Sequence, residues 1–224
     1  MHVLVLGASG RTGSLVVSQA LQRKDRVTAL VRNPDKFQPA GVNLNDPLLR
    51  VIKGTPVDKA DLRKAFSGYK IDGVVVALNS TRPNDMPWTK PTSPTNMIET
   101  AVNNVVAEMT VAGTKRISLV SSWGVGSSYP TTPFPVRIAM MYTNLNYTHQ
   151  ALTLAEEALF KAPPGIEWAI ARPSALGDGK PDGQYKVTDD CRGCRWAVDR
   201  ALVARFCLDA LQKDDWVNKA VVVT

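Results

Sequence analysis

Residues 3–13 read Val3-Leu4-Val5-Leu6-Gly7-Ala8-Ser9-Gly10-Arg11-Thr12-Gly13. Four apolar residues run into a turn with glycine at every third place. A helix-compatible stretch, 12–23, follows. An unbroken apolar run suits a strand buried on both faces of a parallel sheet. A glycine-rich turn between such a strand and a helix is the phosphate cradle of a dinucleotide fold. Gly7 allows a sharp turn, Gly10 allows backbone to approach a pyrophosphate, and Gly13 allows the helix to pack close to the strand. The first N–H groups of the helix have no partner within it and face the anion. The spacing is G-x-x-G-x-x-G, not the commoner G-x-G-x-x-G. The strand before it and the helix after it therefore carry the assignment.

The next apolar run, 26–31, ends at Arg32. A site for NAD places Asp or Glu there, to bind the ribose 2′-hydroxyl. A guanidinium instead suits a 2′-phosphate, through two parallel charge-assisted hydrogen bonds. Lys36 lies four residues on, and Arg11 lies in the glycine turn. Three cations are thus expected to converge on a 2′-phosphate, which favours NADP(H) as cofactor.

Strand and helix signals alternate along the rest of the chain. Strands are predicted at 49–53, 72–78, 116–121, 165–171 and 220–224. Helices are predicted at 58–66, 94–112 and 146–161, with a last one from 195 or 197 to 211. Ser93-Pro94 supplies a cap and a first-turn proline for the second of these. The order predicts an α/β fold, a Rossmann-like doubly wound parallel sheet in order 3-2-1-4-5-6, with a seventh strand at an edge and helices on both faces. The chain of 224 residues, 44% hydrophobic, suits one domain spanning 1–224. Its substrate region is expected in the loops at 79–95, 122–145 and 173–197, beyond the carboxyl ends of strands.

The net charge is +7, but the 27 Lys and Arg are scattered in runs of at most two. Nucleic-acid binding wants a basic face or stripe, so no nucleic-acid partner is expected. No apolar run reaches about 18 residues and the N-terminal stretch lacks the order of a signal peptide, so no membrane partner and a cytoplasmic location are expected. Cys191, Cys194 and Cys207 are an odd count that does not suggest a disulfide framework. Cys191 and Cys194 form a C-x-x-C. Only His2 and His149 could add histidine ligands, so no metal is expected. Plain thiols are the expectation, with a reversible disulfide as the alternative.

Four segments together carry a family likeness: residues 7–13, Leu30-Val31-Arg32-Asn33-Pro34-Asp35-Lys36, Val120-Ser121-Ser122 and Trp168-Ala169-Ile170-Ala171-Arg172-Pro173. In order and spacing the chain resembles the atypical short-chain dehydrogenases, and within them the NmrA-like and biliverdin reductase B-like NAD(P)H-binding proteins. The resemblance implies that Ser9, Gly10, Arg11 and Thr12 hold the pyrophosphate and that Arg32 and Lys36 grip the 2′-phosphate. It implies that Leu78, Asn79, Ser80 and Arg82 pass beside the cofactor. It also implies that Ser121 and Ser122 lie near the nicotinamide and that Pro173 to Leu176 closes over that ring. The family has Gly-Asp after the third strand, where the Asp meets adenine. This chain has Gly54-Thr55-Pro56-Val57, so adenine contacts are expected from backbone there.

The wider superfamily uses a Tyr-x-x-x-Lys pair, in which the lysine lowers the tyrosine pKa. Here Tyr129, Tyr142 and Tyr147 are followed four places on by Pro133, Asn146 and Ala151, so the pair is absent. The candidates that remain for catalysis are Ser121, Ser122, His149 and Tyr142. A serine hydroxyl can bind a substrate carbonyl, and a histidine titrates near neutral pH. Trp88, Trp123 and Trp196 fall in loops and could line an apolar pocket for a flat, aromatic substrate, whereas Trp168 lies in a strand and belongs to the core. These residues predict an NADPH-dependent reductase that passes hydride to a small or medium organic acceptor. The alternatives are a redox sensor of the NmrA type, which binds NADP and signals to a protein partner, and a redox-neutral isomerase.

Overall fold

The computed structural model describes residues 1–84, 86, 88–179, 183–189 and 194–224. In chain order the elements are β1 (His2–Leu6), α1 (Arg11–Gln22), β2 (Arg26–Val31), β3 (Leu49–Lys53), α2 (Lys59–Phe66), β4 (Gly73–Val76), α3 (Met97–Ala112), β5 (Arg116–Val120), α4 (Phe134–Tyr142), α5 (Leu145–Phe160), β6 (Glu167–Pro173), β7 (Ala175–Gly177), β8 (Val187–Thr188), β9 (Ala197–Asp199), α6 (Arg200–Ala210) and β10 (Lys219–Val223).

β1 is buried along its whole length, and its side chains serve two layers. Val3 and Val5 join an apolar cluster with residues of α1 and α6, including Val16, Val17, Val203 and Phe206. Leu4 and Leu6 join a second cluster with residues of α2, α3 and α5. The period of two in a pleated strand makes this division, and it explains why the strand reads as apolar without alternation.

The main sheet runs β3-β2-β1-β4-β5-β6-β10-β8. The expected 3-2-1-4-5-6 order is therefore present, with β10 as the seventh strand; it is not at the edge as expected, because β8 pairs along its outer side. All its pairings are parallel except that of β10 with β8. Strand order reverses between β1 and β4, and a crevice opens beyond their carboxyl ends, the place where such sheets bind ligands.

Three features depart from the sequence reading. The first is α4, which occupies a stretch read as part of a loop. Pro133 and Pro135 gave that impression, yet proline in a first turn loses no helical hydrogen bond. The second lies before the last helix, where Ala197–Asp199 is strand β9, paired with β7, so α6 starts only at Arg200. The third is the start of α3, at Met97 rather than 94. Ser93 does not cap it, because its Oγ accepts the Thr81 N–H at 2.9 Å. Trp168 sits half-buried on β6 and packs against Phe160, with ring centroids 5.1 Å apart.

Candidate functional site

The glycine turn links β1 to α1. Gly7 has φ +82°, and a Cβ there would collide with the carbonyl of Ala77, just past β4. A Cβ on Gly13 would collide with the Gly7 carbonyl. Those two positions lock α1 onto the crevice. Gly10 differs: its N–H closes the turn onto the Gly7 carbonyl at 2.9 Å, and an added Cβ would meet only that oxygen at 3.2 Å and the Ala77 oxygen at 4.0 Å. Beyond them it opens outward, and Ser9, Gly10 and Arg11 are exposed. The first i→i−4 bond of α1 runs from Ser14 N to Gly10 O at 2.8 Å. No side chain caps the helix, and its first turn holds no acid. A bare helix N-terminus beside an open glycine is the donor set that a diphosphate fits.

Beyond the carboxyl ends of β2, β3 and β4 lies a cavity of about 470 Å³, walled by Arg32 after β2, Thr55 and Val57 after β3, Thr81 after β4, and Asn96 and Thr100 around the start of α3. The wall formed by 54–57 is held from outside. Asp61 Oδ2 accepts the Thr55 N–H at 3.0 Å, and Asn104 Nδ2 donates to the Pro56 and Val57 carbonyls at 3.3 and 3.0 Å. The Thr55 N–H, followed by Lys64, holds the Asp61 carboxyl below its ordinary range. Asp61 thus serves the loop backbone and does not line the cavity.

Of the three cations expected to converge, Arg32 lines the cavity; Lys36 is exposed at the end of the turn Pro34–Lys36 and is not part of the lining. Arg11 points another way, with its guanidinium 3.7 Å from Asp178. Asp178 also pairs with Arg200 at 2.5 Å.

The remaining candidates gather beyond β4, β5 and β6. Leu78 is half-buried against the glycine turn, 3.2 Å from where a Gly7 Cβ would lie. Asn79 Oδ1 accepts the Ser80 N–H at 2.8 Å, and Ser80 is buried with its hydroxyl unpartnered among the described residues. Arg82 reaches α5 and donates to Thr148 Oγ1. Pro173 is buried, and its carbonyl accepts the Trp123 N–H at 2.9 Å. Ser122 is half-buried and its Oγ donates to the Trp123 carbonyl at 3.2 Å. His149 Nε2 meets the Gly124 carbonyl, so the ring carries its proton on that nitrogen and braces the loop after β5. Tyr142 is exposed at the end of α4, and Tyr147 donates to the Ser93 carbonyl. Trp88 and Trp196 are exposed, whereas Trp123 is buried, with its Nε1 donating to Thr131 Oγ1 at 3.1 Å. Trp123 is therefore a support of the loop.

Ser121 sits in a network that the sequence reading missed. Its Oγ donates to Glu156 Oε1 at 2.6 Å. Arg172 donates from Nε to the same oxygen at 3.0 Å, from Nη2 to Glu156 Oε2 at 2.6 Å, and from Nη1 to Ser127 Oγ at 2.8 Å. The signal was available. Glu156 interrupts the apolar face Ala151, Leu152, Ala155, Ala158 and Leu159, and Arg172 ends an apolar strand. Two opposite charges, each in an apolar setting, call for one another.

Of the cysteines, Cys191 lies outside the described residues. Cys194 is disulfide-bonded, which corrects the expectation of a plain thiol. Cys207 is free and fully buried, and burial pushes its thiol up to about 12. It is an inert packing residue. Among the described residues no cluster of His, Cys, Asp and Glu could hold a metal. No helix there is long and apolar enough to cross a membrane.

Residues 7–214 match the model of a family described as NAD(P)H-binding. The chain belongs to that family. A nicotinamide dinucleotide is therefore its cofactor, and the bare N-terminus of α1 at the glycine turn fits the diphosphate of one. An uncharacterized chloroplastic protein of Arabidopsis thaliana is 27% identical over 225 residues, covering 99% of this chain and 75% of that protein. Among solved structures, the anaerobilin reductase ChuY of Escherichia coli O157:H7 superposes with a TM-score of 0.76 at 23% identity, over 100% of this chain and 96% of that one. A short-chain dehydrogenase/reductase of Veillonella parvula in complex with NADP gives a TM-score of 0.76 at 16% identity, over 99% and 93%. At such identities these two likenesses concern the fold.

Proposed function

We propose that this NAD(P)H-binding chain is an NADPH-dependent reductase, acting as one unit over 1–224, that delivers hydride to a small or medium organic acceptor. The observation that carries the choice of NADPH is Arg32 on the wall of the 470 Å³ cavity, where an NAD site would present a carboxylate. When bound, the cofactor supplies the hydride. The first turn of α1 and the backbone of Ser9 to Gly13 hold its diphosphate, and Arg32 with Thr55 takes the 2′-phosphate. The loops at 79–95, 122–145 and 173–197 form the acceptor side. Ser122 offers the acceptor a hydroxyl, whereas the Ser121 hydroxyl is held by Glu156 and fixes the strand end beneath it. His149 is engaged by the Gly124 carbonyl and orients the loop. With no Tyr-x-x-x-Lys pair and no disengaged histidine, the chain suits an acceptor that needs orientation more than a proton. Quinones, flavins and conjugated enones have that property, because they spread the incoming charge.

Calorimetry with NADP+ and NAD+, followed by NADPH oxidation against a panel of quinones, flavins and enones, tests the reading. NADP+ preference with turnover of at least one acceptor is expected. Tight NADP+ binding with no turnover across the panel would favour a non-catalytic binder, and no binding of either nucleotide would end the reading.

A further inference from the structure

Arg82 is a half-buried cation without a counter-ion among the described residues. Its Nε is enclosed and makes no hydrogen bond among the described residues. There, its Nη2 donates to the neutral Thr148 hydroxyl on α5. The first turn of α5 carries no acidic side chain, so the positive end of that helix adds to the same field. An enclosed charge lacking a partner costs free energy that an anionic ligand would recover.

An apolar stripe lies on the helix that precedes α5. Phe134, Ile138 and Tyr142 fall at i, i+4 and i+8 on α4, which places them on one face, and all three are exposed. The stripe is about 12 Å long at 1.5 Å per residue. It ends beside exposed Trp88, whose carbonyl accepts Asn144 Nδ2 at 2.6 Å, two residues past Tyr142. Asn144 and Thr148 stand one helical turn apart, so the Trp88 carbonyl and the Arg82 guanidinium are anchored on successive turns at the start of α5. The loop after β4 is thus tied to the start of α5 at both points, and it joins an apolar face to a cation.

We propose that Arg82 and the α4–Trp88 face form the substrate subsite, and that it takes an amphiphilic organic anion: an apolar, preferably aromatic body on the stripe, with a carboxylate or sulfonate on Arg82. The proposal rests on the reductase reading for the subsite's use in turnover, and it changes Arg82 from a neighbour of the cofactor to a specificity residue for the acceptor.

Two probes that share an arylamine skeleton test it: 8-anilinonaphthalene-1-sulfonate, which is anionic, and N-phenyl-1-naphthylamine, which is neutral. Both are titrated by fluorescence into protein saturated with NADP+, and NADP+ affinity is measured by calorimetry on the same samples. A chain that binds no NADP+ fails there, before any probe is added, so loss of the cofactor reading is told apart from loss of the subsite. The sulfonate should bind more tightly than the neutral amine. Arg82→Gln should weaken the sulfonate about tenfold, the scale of a charge-assisted contact. It should leave the neutral amine and NADP+ within about twofold. Trp88→Ala should weaken both probes together. An unchanged sulfonate preference in Arg82→Gln overturns the proposal. So does a loss of NADP+ affinity equal to the loss of sulfonate, which would put Arg82 on the cofactor. Failure of both probes to bind also overturns it; a dimer in light scattering that Tyr142→Asp dissolves would then identify the stripe as a self-interface.

Discussion

Arg172 grips Glu156 with two parallel bonds, Nε to Oε1 at 3.0 Å and Nη2 to Oε2 at 2.6 Å, where both side chains are at most 3% exposed. The pair spans β6 and α5, and Ser121 and Ser127 satisfy further positions on it. Removing one member leaves the other charged and enclosed. Glu156→Gln is expected to cost about 3–5 kcal/mol in urea unfolding, whereas the double change Glu156→Leu with Arg172→Met recovers most of that stability. Equal losses in the single and double variants would count against this account.

Arg32→Ala should weaken NADP+ at least tenfold and NAD+ by less than threefold, because only the former carries the phosphate that a guanidinium grips. Lys36→Ala, outside the cavity lining, should alter either by less than threefold. Calorimetry with both nucleotides decides it, and equal losses in Arg32→Ala would refute the phosphate role.

Gly10 and Gly13 should separate binding from folding. Gly13→Ala drives a methyl into the Gly7 carbonyl and is expected to cost about 1–3 kcal/mol by thermal or urea unfolding. Gly10→Val has φ −77° available and an open side, so the fold should persist while NADP+ binding disappears in calorimetry. Intact binding in that variant would show that the diphosphate lies elsewhere.

Asn104 is buried and holds the Pro56 and Val57 carbonyls, so on the proposed placement of the cofactor it acts on the adenosine half through the loop. Asn104→Ala should raise the Kd of adenosine 2′,5′-bisphosphate several-fold. The nicotinamide mononucleotide half should bind as before. A parallel change in both would mean general loosening.

His2 is buried, and its Nε2 lies 2.8 Å from Thr28 Oγ1. Burial first, and then Arg26, lower its pKa from 6.5. The folded protein therefore takes up this proton less readily than the unfolded chain. The neutral ring's contribution is present above pH 6.5 and is lost as pH falls from there through the folded value. One proton gives a slope of at most about 1.4 kcal/mol per pH unit. Urea midpoints from pH 7.5 down to 5 should show it, and His2→Gln should flatten it; identical slopes in the two proteins would assign the acid loss to other groups.

The sequence made the sheet legible because its central strands β1 and β4 are buried on both faces and its first turn is punctuated by glycine. Leu49–Lys53 came out at its observed bounds, and β1 followed from four consecutive apolar residues. What stayed hidden depends on contacts made after the chain collapses. β7 and β9 are three residues each and exist because they pair with one another across about twenty residues. The α4 helix starts between two prolines that imitate a loop. At the site, residue types indicated Arg32, whereas direction did not follow from type: Arg11 turns to Asp178, and His149 is spent on a carbonyl. The Glu156–Arg172 pair showed in the sequence only as two misplaced charges.

β8 is two residues long, yet it lies antiparallel along the outer flank of β10, and the Lys186–Thr224 pair extends it with bonds of 2.7 and 2.9 Å. Without that cover, Val222 and Thr224 would present bare amides at the rim of an apolar ribbon, an invitation to a foreign strand. The opposite rim, β3, carries Arg50 and Lys53, and charge there discourages the same event. With both margins guarded, growth by strand addition is disfavoured at high concentration, and self-association, where it occurs, is left to the helical faces.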